Sequence, residues 1–287
     1  MILQETQEND KFLLLCERKT RMKYMGSKSR IAKYIVPIIQ KCIYDNDLEY
    51  YIEPFVGGAN VIDKIICKNK SGSDKNEYLI ALLDHVARGG KLLPNVPREL
   101  YNDVRTAYNS HSDTFSKVVT ANVGFLASYN GRWFDGGYAQ AGYEKTKYGE
   151  RYRNYYQESK RNLEQQAKDL VGINFSCYDY RDIPITTTSN NMIYCDPPYA
   201  NTKQFANSHN FDFDEFWETM RQWSKDNYVI VSELAAPDDF VCIWQKDVQR
   251  SMKSTDNTMR AVEKLFTYKG GLYERNNKTP SDEWRTT

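Results

Sequence analysis

Tyr50-Tyr51-Ile52-Glu53-Pro54-Phe55-Val56-Gly57-Gly58-Ala59-Asn60 is a short apolar strand followed by a paired-glycine turn. The turn leads into Val61–Lys68, a segment whose Ile62, Ile65 and Ile66 predict a buried helix face. A strand, a glycine turn and a helix form the phosphate- or nucleotide-cradling unit of α/β folds. Upstream, Ile31, Tyr34, Ile35, Ile38, Ile39 and Cys42 recur at helical spacing and predict an amphipathic helix over Ser29–Ile43, with a kink or late start at Pro37. Downstream, helices are expected over Tyr78–Ala87, Arg98–Tyr108 and Phe115–Ser128. The glycine- and aromatic-rich 129–149 reads as loop, and Tyr152–Leu170 returns to helix. Ile173–Tyr178, Asn191–Cys195 and Tyr228–Ser232 read as strands, and Phe213–Trp223 as a helix capped by Asp212. Phe240–Val248 and Lys264–Tyr268 read as a late antiparallel pair, and the polar Lys70–Lys75 gives no strand signal of its own. Strands alternating with helices predict an α/β fold with a mostly parallel sheet, interrupted by a mainly helical insert.

The second informative stretch is Asn191-Met192-Ile193-Tyr194-Cys195-Asp196-Pro197-Pro198-Tyr199. A hydrophobic strand ends in a carboxylate, two prolines and an aromatic ring. In open parallel sheets ligands bind beyond the carboxyl ends of the strands, so Asp196 is expected to project toward one. Two prolines stiffen the turn and leave their carbonyls free as acceptors. A carboxylate, a carbonyl and an aromatic face together suit an aromatic amine. Asp196 and the Pro197 carbonyl take its two N–H groups, Tyr199 stacks on its ring, and the carboxylate steadies positive charge developing on nitrogen.

Composition bounds the alternatives. The 287 residues carry 39 Lys and Arg against 38 Asp and Glu, so net charge neither announces nor excludes a nucleic-acid partner. The most basic stretch, 144–161, contains Lys145, Lys147, Arg151, Arg153, Lys160 and Arg161 and reads by default as a solvated helix face. Six scattered cysteines and three scattered histidines do not suggest a metal site and fit reduced thiols in the cytoplasm. No apolar run approaches the roughly 18–20 residues of a membrane helix, and Met1–Arg21 lacks the pattern of a signal peptide. The 22 Tyr, 12 Phe and 5 Trp supply both core and base-stacking surface.

Asp196-Pro197-Pro198-Tyr199 resembles the D-P-P-Y signature of amino-methyltransferases acting on DNA, a tetrapeptide expected by chance in on the order of one such chain in a thousand. Glu53-Pro54-Phe55-Val56-Gly57-Gly58 resembles that family's E-P-F-x-G motif. Lys23-Tyr24-Met25-Gly26-Ser27-Lys28 resembles its lysine motif. Taken singly, the glycine turn, Tyr24, Lys28 and Asp74 each have ordinary structural readings; together they keep the order of the Dam-like adenine-N6 methyltransferases over about residues 22–270.

The resemblance implies a Rossmann-like class I methyltransferase sheet built from 22–87 and 168–270, with a target-recognition insert at 88–167, a flexible extension at 1–21 and a polar tail at 271–287. It implies S-adenosylmethionine as cofactor, bound by Tyr24, Lys28, Phe55, Gly57, Asp74 and Asp196. Asp74 accepts the ribose diol, and Asp179 is a further contact at the adenine end. The implied catalytic group is Asp196, Pro197 and Tyr199, with Asn130, Arg132, Lys145 and Lys147 as DNA contacts. Double-stranded DNA is the expected partner, with no membrane, a monomer or weak dimer, and a cognate restriction endonuclease as a partner that such enzymes can have. No recognition sequence is carried over. The competing readings are a cytosine-N4 methyltransferase, whose motif more often begins with Ser, and a catalytically silent DNA-binding module. A dinucleotide oxidoreductase would need a G-x-G-x-x-G turn that the sequence lacks.

Overall fold

In the computed structural model, which describes residues 21–147, 149–185, 191–198, 211–249 and 260–276, strands and helices alternate as expected. Helix α1 (Ala32–Asp45) precedes β1 (Tyr50–Glu53), and β2 (Asn69–Asp74) precedes α2 (Glu77–Ala87). Next come α3 (Arg98–Asn109), α4 (Lys117–Ala121), a π-helical turn over Asn122–Leu126, a hairpin of β3 (Gly142–Thr146) and β4 (Gly149–Arg153), and α5 (Tyr155–Leu170). Then come β5 (Ile173–Cys177), β6 (Asn191–Cys195), α6 (Phe213–Trp223), β7 (Tyr228–Glu233), β8 (Phe240–Gln249), β9 (Arg260–Tyr268) and α7 (Leu272–Asn276). Seven strands form one mixed sheet in the order β5-β2-β1-β6-β7-β9-β8. β2 with β5, β1 with β6 and β6 with β7 pair in parallel, and β9 runs antiparallel to both β7 and β8. This is the expected α/β class, with an antiparallel return at one edge.

By its contacts the chain divides into two compact units. One comprises Met1–Gln40, Val56–Ile66 and Lys70–Tyr178, and the other Lys41–Phe55, Cys67–Asn69 and Asp179–Thr287. In the second, α6 follows from its apolar stripe: Phe216, Trp217 and Met220 are buried against Ile193, Val229 and Phe240. Asp212 caps the helix by accepting the Glu215 N–H at 2.9 Å. Pro37 is tolerated inside α1 because it lies on the exposed face, where the Lys33 carbonyl left without an intrahelical partner can meet water.

Several expectations need correction. Val61–Lys68 is not a helix but a single 3-10 turn, Ile62–Lys64, after which Ile65 turns extended. The Gln40 amide ends it by gripping both backbone groups of Ile66: its Oε1 accepts the N–H at 2.8 Å and its Nε2 donates to the carbonyl at 2.7 Å. Ile66 is 40% exposed, whereas Asp63 and Lys64 are buried as an ion pair at 2.6 Å. The polar Lys70–Lys75 does hold a strand, β2. Its register with β5 and the space under Val56 define it, since a Cβ at Gly72 would fall 2.8 Å from Val56 Cγ2. The expected helix over Phe115–Ser128 splits into α4 and the π turn. The expected loop over 129–149 contains two 3-10 turns and most of the β3–β4 hairpin, so the basic stretch is a hairpin running into α5 and not one helix face. The tail after Gly270 begins with α7, whose Leu272 N–H donates to the Ser224 carbonyl at 2.7 Å. Arg21 is buried against Asp63 and Asp169.

Glu158 of α5 joins the hairpin to the lysine motif, accepting from Arg153 Nε at 2.8 Å and from Lys23 Nζ at 2.6 Å. Arg153 first, and Lys23 with it, lower its carboxyl to about 2. A depressed carboxyl stabilises the fold fully above its unfolded value of about 4.5, and this stabilisation disappears as pH falls through about 2. Glu158→Gln is therefore expected to flatten the loss of melting temperature across that window. An unchanged acid limb in the variant would show that these bonds contribute nothing.

Candidate functional site

In the first unit the lysine motif lies over the glycine turn. Tyr24 is half-buried, and its side chain lies so close that a Cβ on Gly57 would be 3.2 Å from its Cε1 and one on Gly58 2.8 Å from its Cβ. Gly57 also has φ +47°, a left-handed backbone that favours glycine. Its N–H donates to Asp74 Oδ2 at 3.3 Å, while Asn76 N–H donates to Oδ1 at 2.9 Å. Asp74 therefore stands at the carboxyl end of β2, joined to the turn through backbone amides. Burial raises its carboxyl above the usual range, and those two bonds oppose the shift. Burial, and after it the Asp74 charge, push the Tyr24 phenol well above its ordinary value. Lys28 is buried one turn further on, where Ser27 caps a short 3-10 helix. The structure thus brings Tyr24, Gly57 and Asp74 together.

Asn60 was not anticipated. It is 4% exposed, and neither its Oδ1 nor its Nδ2 has a partner among the described residues. A buried polar atom without a partner costs about 1–3 kcal/mol. The amide abuts Gly58, whose absent side chain leaves it room. A polar group brought to this turn would find an amide ready to pair and a carboxylate at the end of β2. Its sequence signal was slight, since Asn next to glycine reads as turn chemistry.

The second unit carries the acid. All five residues of β6 are buried, and the strand is hydrogen-bonded on one side to β1, with Ile52 opposite Ile193, and on the other to β7, with Cys195 opposite Val231. Asp196 follows directly, half-buried at the carboxyl rim, with Pro197 buried behind it. Glu53 ends the neighbouring β1, buried, and accepts the Tyr51 hydroxyl at 3.1 Å. Burial raises the Cys195 thiol and the Tyr194 phenol; Glu53 and then Asp196 add to the first, and Asp196 leads the charges acting on the second. Two carboxylates therefore converge on one end of adjacent strands. Phe55, two residues past Glu53, packs on Tyr180, Phe211 and Phe216 with centroids 5.4–6.0 Å apart. Asp179 is held by Arg181, its Oδ1 accepting from Nε at 2.8 Å. Tyr199 lies outside the described residues.

The expected DNA contacts fall in the first unit. Asn130 and Arg132 are exposed on either side of Gly131, which packs on the Lys23 backbone so closely that any Cβ would overlap the Lys23 carbonyl. Lys145 and Lys147 are exposed on the hairpin. Opposite each other on its strands stand Tyr143, 76% exposed, and Tyr152, 56% exposed, with ring centroids 5.4 Å apart. That aromatic pair was not anticipated, because its alignment exists only once the hairpin forms.

Residues 24–226 match the family described as D12 class N6 adenine-specific DNA methyltransferase. The chain belongs to this family. The match begins at Tyr24 and includes both the glycine turn and Asp196. Over 223 residues the chain is 25% identical to the type II methyltransferase M.MjaIII of Methanocaldococcus jannaschii, covering 69% of this chain and 76% of the relative. It is 29% identical over 178 residues to the DNA N-6-adenine-methyltransferase of Escherichia phage P1, covering 57% of this chain and 23% of that protein. It is 27% identical over 169 residues to the DNA adenine methylase of Salmonella typhi, covering 55% and 59%. The chain thus spans less than two thirds of the phage and Salmonella relatives. As a D12 class member it is an enzyme of DNA adenine methylation, and DNA is its substrate. Among the described residues no helix is long and apolar enough to cross a membrane.

The close approach of Tyr24 to Gly58 makes a direct prediction for this D12 class site. Gly58→Ala must displace Tyr24 or Asn60, whose Nδ2 would lie 2.7 Å from the new Cβ. A stability loss of about 1–3 kcal/mol by denaturant titration is expected. Wild-type stability would mean that the turn and the lysine motif are not packed as described.

Proposed function

We propose that the chain transfers a methyl group from S-adenosylmethionine to the N6 amino group of an adenine flipped out of double-stranded DNA. What carries the reading is Asp196: a half-buried carboxylate delivered by a fully buried central strand to the sheet's carboxyl rim, with a proline on each of the next two positions. Bound there, S-adenosylmethionine would supply an electrophilic methyl group. The remaining work belongs to the chain. Asp196 and the Pro197 carbonyl accept the two N6 hydrogens, direct the nitrogen lone pair outward and stabilise the positive charge that grows on it. The resemblance assigns Tyr199 the role of stacking on the ring. Unstacking the base costs a few kcal/mol, and stacking on an aromatic ring returns about 1–3 kcal/mol. The rate gain would come mainly from holding the amine where the cofactor's methyl group is offered, and the proton shed by the methylated N6 would pass from its hydrogen-bond acceptor to water.

The cofactor's polar groups match what the first unit presents. The Asp74 carboxylate suits a ribose diol, and Tyr24 and Lys28 suit the methionine end. Gly57 admits close backbone approach; Phe55 and Asp196, the two other residues that the resemblance assigns to the cofactor, belong to the second unit. Residues 88–167 serve as the target-recognition insert. Exposed Asn130 and Arg132, and a hairpin bearing Lys145, Lys147, Tyr143 and Tyr152, combine cationic and aromatic groups as DNA-binding surfaces do.

Incubating unmodified DNA and the chain with methyl-labelled S-adenosylmethionine, then analysing nucleosides, tests the reading. N6-methyladenine is expected, and Asp196→Ala should lower its rate by about three orders of magnitude or more while the fold persists. Label on cytosine would favour the N4 reading, and binding without label would favour the silent module. Lys145→Ala is expected to weaken DNA binding at low salt and to reduce the salt slope by about one for a lost phosphate contact. An unchanged slope would remove Lys145 from the interface.

A further inference from the structure

Helix α5 buries Tyr156, Ser159, Leu163, Gln166 and Leu170, a stripe spaced to face inward on every turn or two. Gln166 occupies an apolar slot in it and is 0% exposed. An amide there must find partners, and every one it finds is remote in sequence. Its Oε1 accepts the Met22 N–H at 2.9 Å. Its Nε2 faces the Gly58 and Ala59 carbonyls, each at 3.0 Å, and Asp63 Oδ2 at 3.2 Å. Ala59 is a non-glycine residue at φ +54°, a backbone that costs about 1–2 kcal/mol, so its bond to Gln166 fixes a strained link. Asp63 in turn pairs with Arg21, the residue before Met22, and with Lys64. Arg21–Asp63 and Met22–Gln166 thus hold two successive residues of the irregular segment before Tyr24, one to Asp63 and the other to the amide that also meets the turn. Tyr24 is two residues beyond Met22, and Gly57 is one residue before Gly58.

We propose that Gln166 is a positioning residue for the cofactor: by tying the Met22 amide to the Gly58 and Ala59 carbonyls it sets the spacing at which Tyr24 covers the glycine turn. This rests on the reading of Tyr24 and Gly57 as cofactor contacts. Gln166, 0% exposed, offers no surface of its own to a ligand. Its partners require an acceptor and a donor on one side chain of this length, which Leu or Met at the same slot cannot provide.

The test is calorimetric titration of the full chain with S-adenosylhomocysteine, beside steady-state kinetics in S-adenosylmethionine. For folded Gln166→Met the dissociation constant and KM are expected to rise about tenfold or more, with kcat at saturation within about threefold of wild type. Tyr156→Phe is the control on the same helix. It loses bonds to the Leu93 carbonyl and Asn122 Oδ1 but none to the turn. Its melting temperature should fall with affinity unchanged. Folded Gln166→Met that binds like wild type, or Tyr156→Phe that weakens binding equally, overturns the proposal. If Gln166→Met does not fold, Gln166→Glu decides. Its ionised carboxylate cannot donate to the turn, and its protonated form can. Affinity should therefore be weaker at high pH in the variant and recover as pH falls, unlike wild type, and wild-type affinity at a pH where the introduced carboxyl is shown to be ionised overturns the proposal. Wild type that fails to bind S-adenosylhomocysteine at all sinks the cofactor reading itself, a different outcome from wild-type binding that Gln166→Met retains.

Discussion

Strand β6 has hydrogen-bonded neighbours on both sides and no exposed residue, so the carboxylate that follows Cys195 can leave the sheet only at its carboxyl rim. A charge inside such a strand would face a desolvation cost without compensation. At the rim Asp196 is half-buried: sheltered enough for its charge to act strongly, open enough to meet a substrate. Pro197 and Pro198 then prevent the chain from continuing the ladder, because neither can donate to it. Parallel pairing places Glu53 at the same end of the adjacent strand, and the glycine turn begins four residues later along the chain. The position of the acid is therefore a consequence of this pairing.

The turn has its own supports, all in the first unit. Asp74 holds it from the end of β2 through the Gly57 amide, Tyr24 covers it, and Gln166 grips its far side. Glycine is required at Gly57 and Gly58 for different reasons, the left-handed backbone at one and the Tyr24 and Asn60 side chains at the other. Asn60 completes this surface with an amide that has no partner among the described residues. Held from these sides, the turn is preorganised for the polar groups that the proposed cofactor would bring, which lowers the ordering cost of binding.

Much of this was legible in the sequence because it depends on local pattern. An unbroken apolar run ending in Asp-Pro-Pro can be little but a central strand with an acid at its end. Phe213–Trp223 announces its buried face and its Asp212 cap. The parts that were not legible depend on distant partners. β2 is polar and is a strand only because β5 supplies its register and Val56 occupies the space a Gly72 side chain would need. The Val61–Lys68 pattern promised a helix that Gln40 cuts short from 26 residues away. Gln166 looks like one more polar residue on a polar helix, and its partners lie over a hundred positions off. Tyr143 and Tyr152 become a pair only across the hairpin. Family resemblance located the motifs, and packing explains why they stand where they do.

Methyl transfer as proposed depends on Asp196 and the Pro197 carbonyl gripping an exocyclic amine. The most direct measurement is a crystal structure of the chain with S-adenosylhomocysteine and a DNA duplex containing its target. The extruded adenine N6 is expected within about 2.7–3.2 Å of both an Asp196 carboxylate oxygen and the Pro197 carbonyl oxygen. An ordered extruded adenine whose N6 is bound by other groups, with Asp196 facing elsewhere, would contradict it.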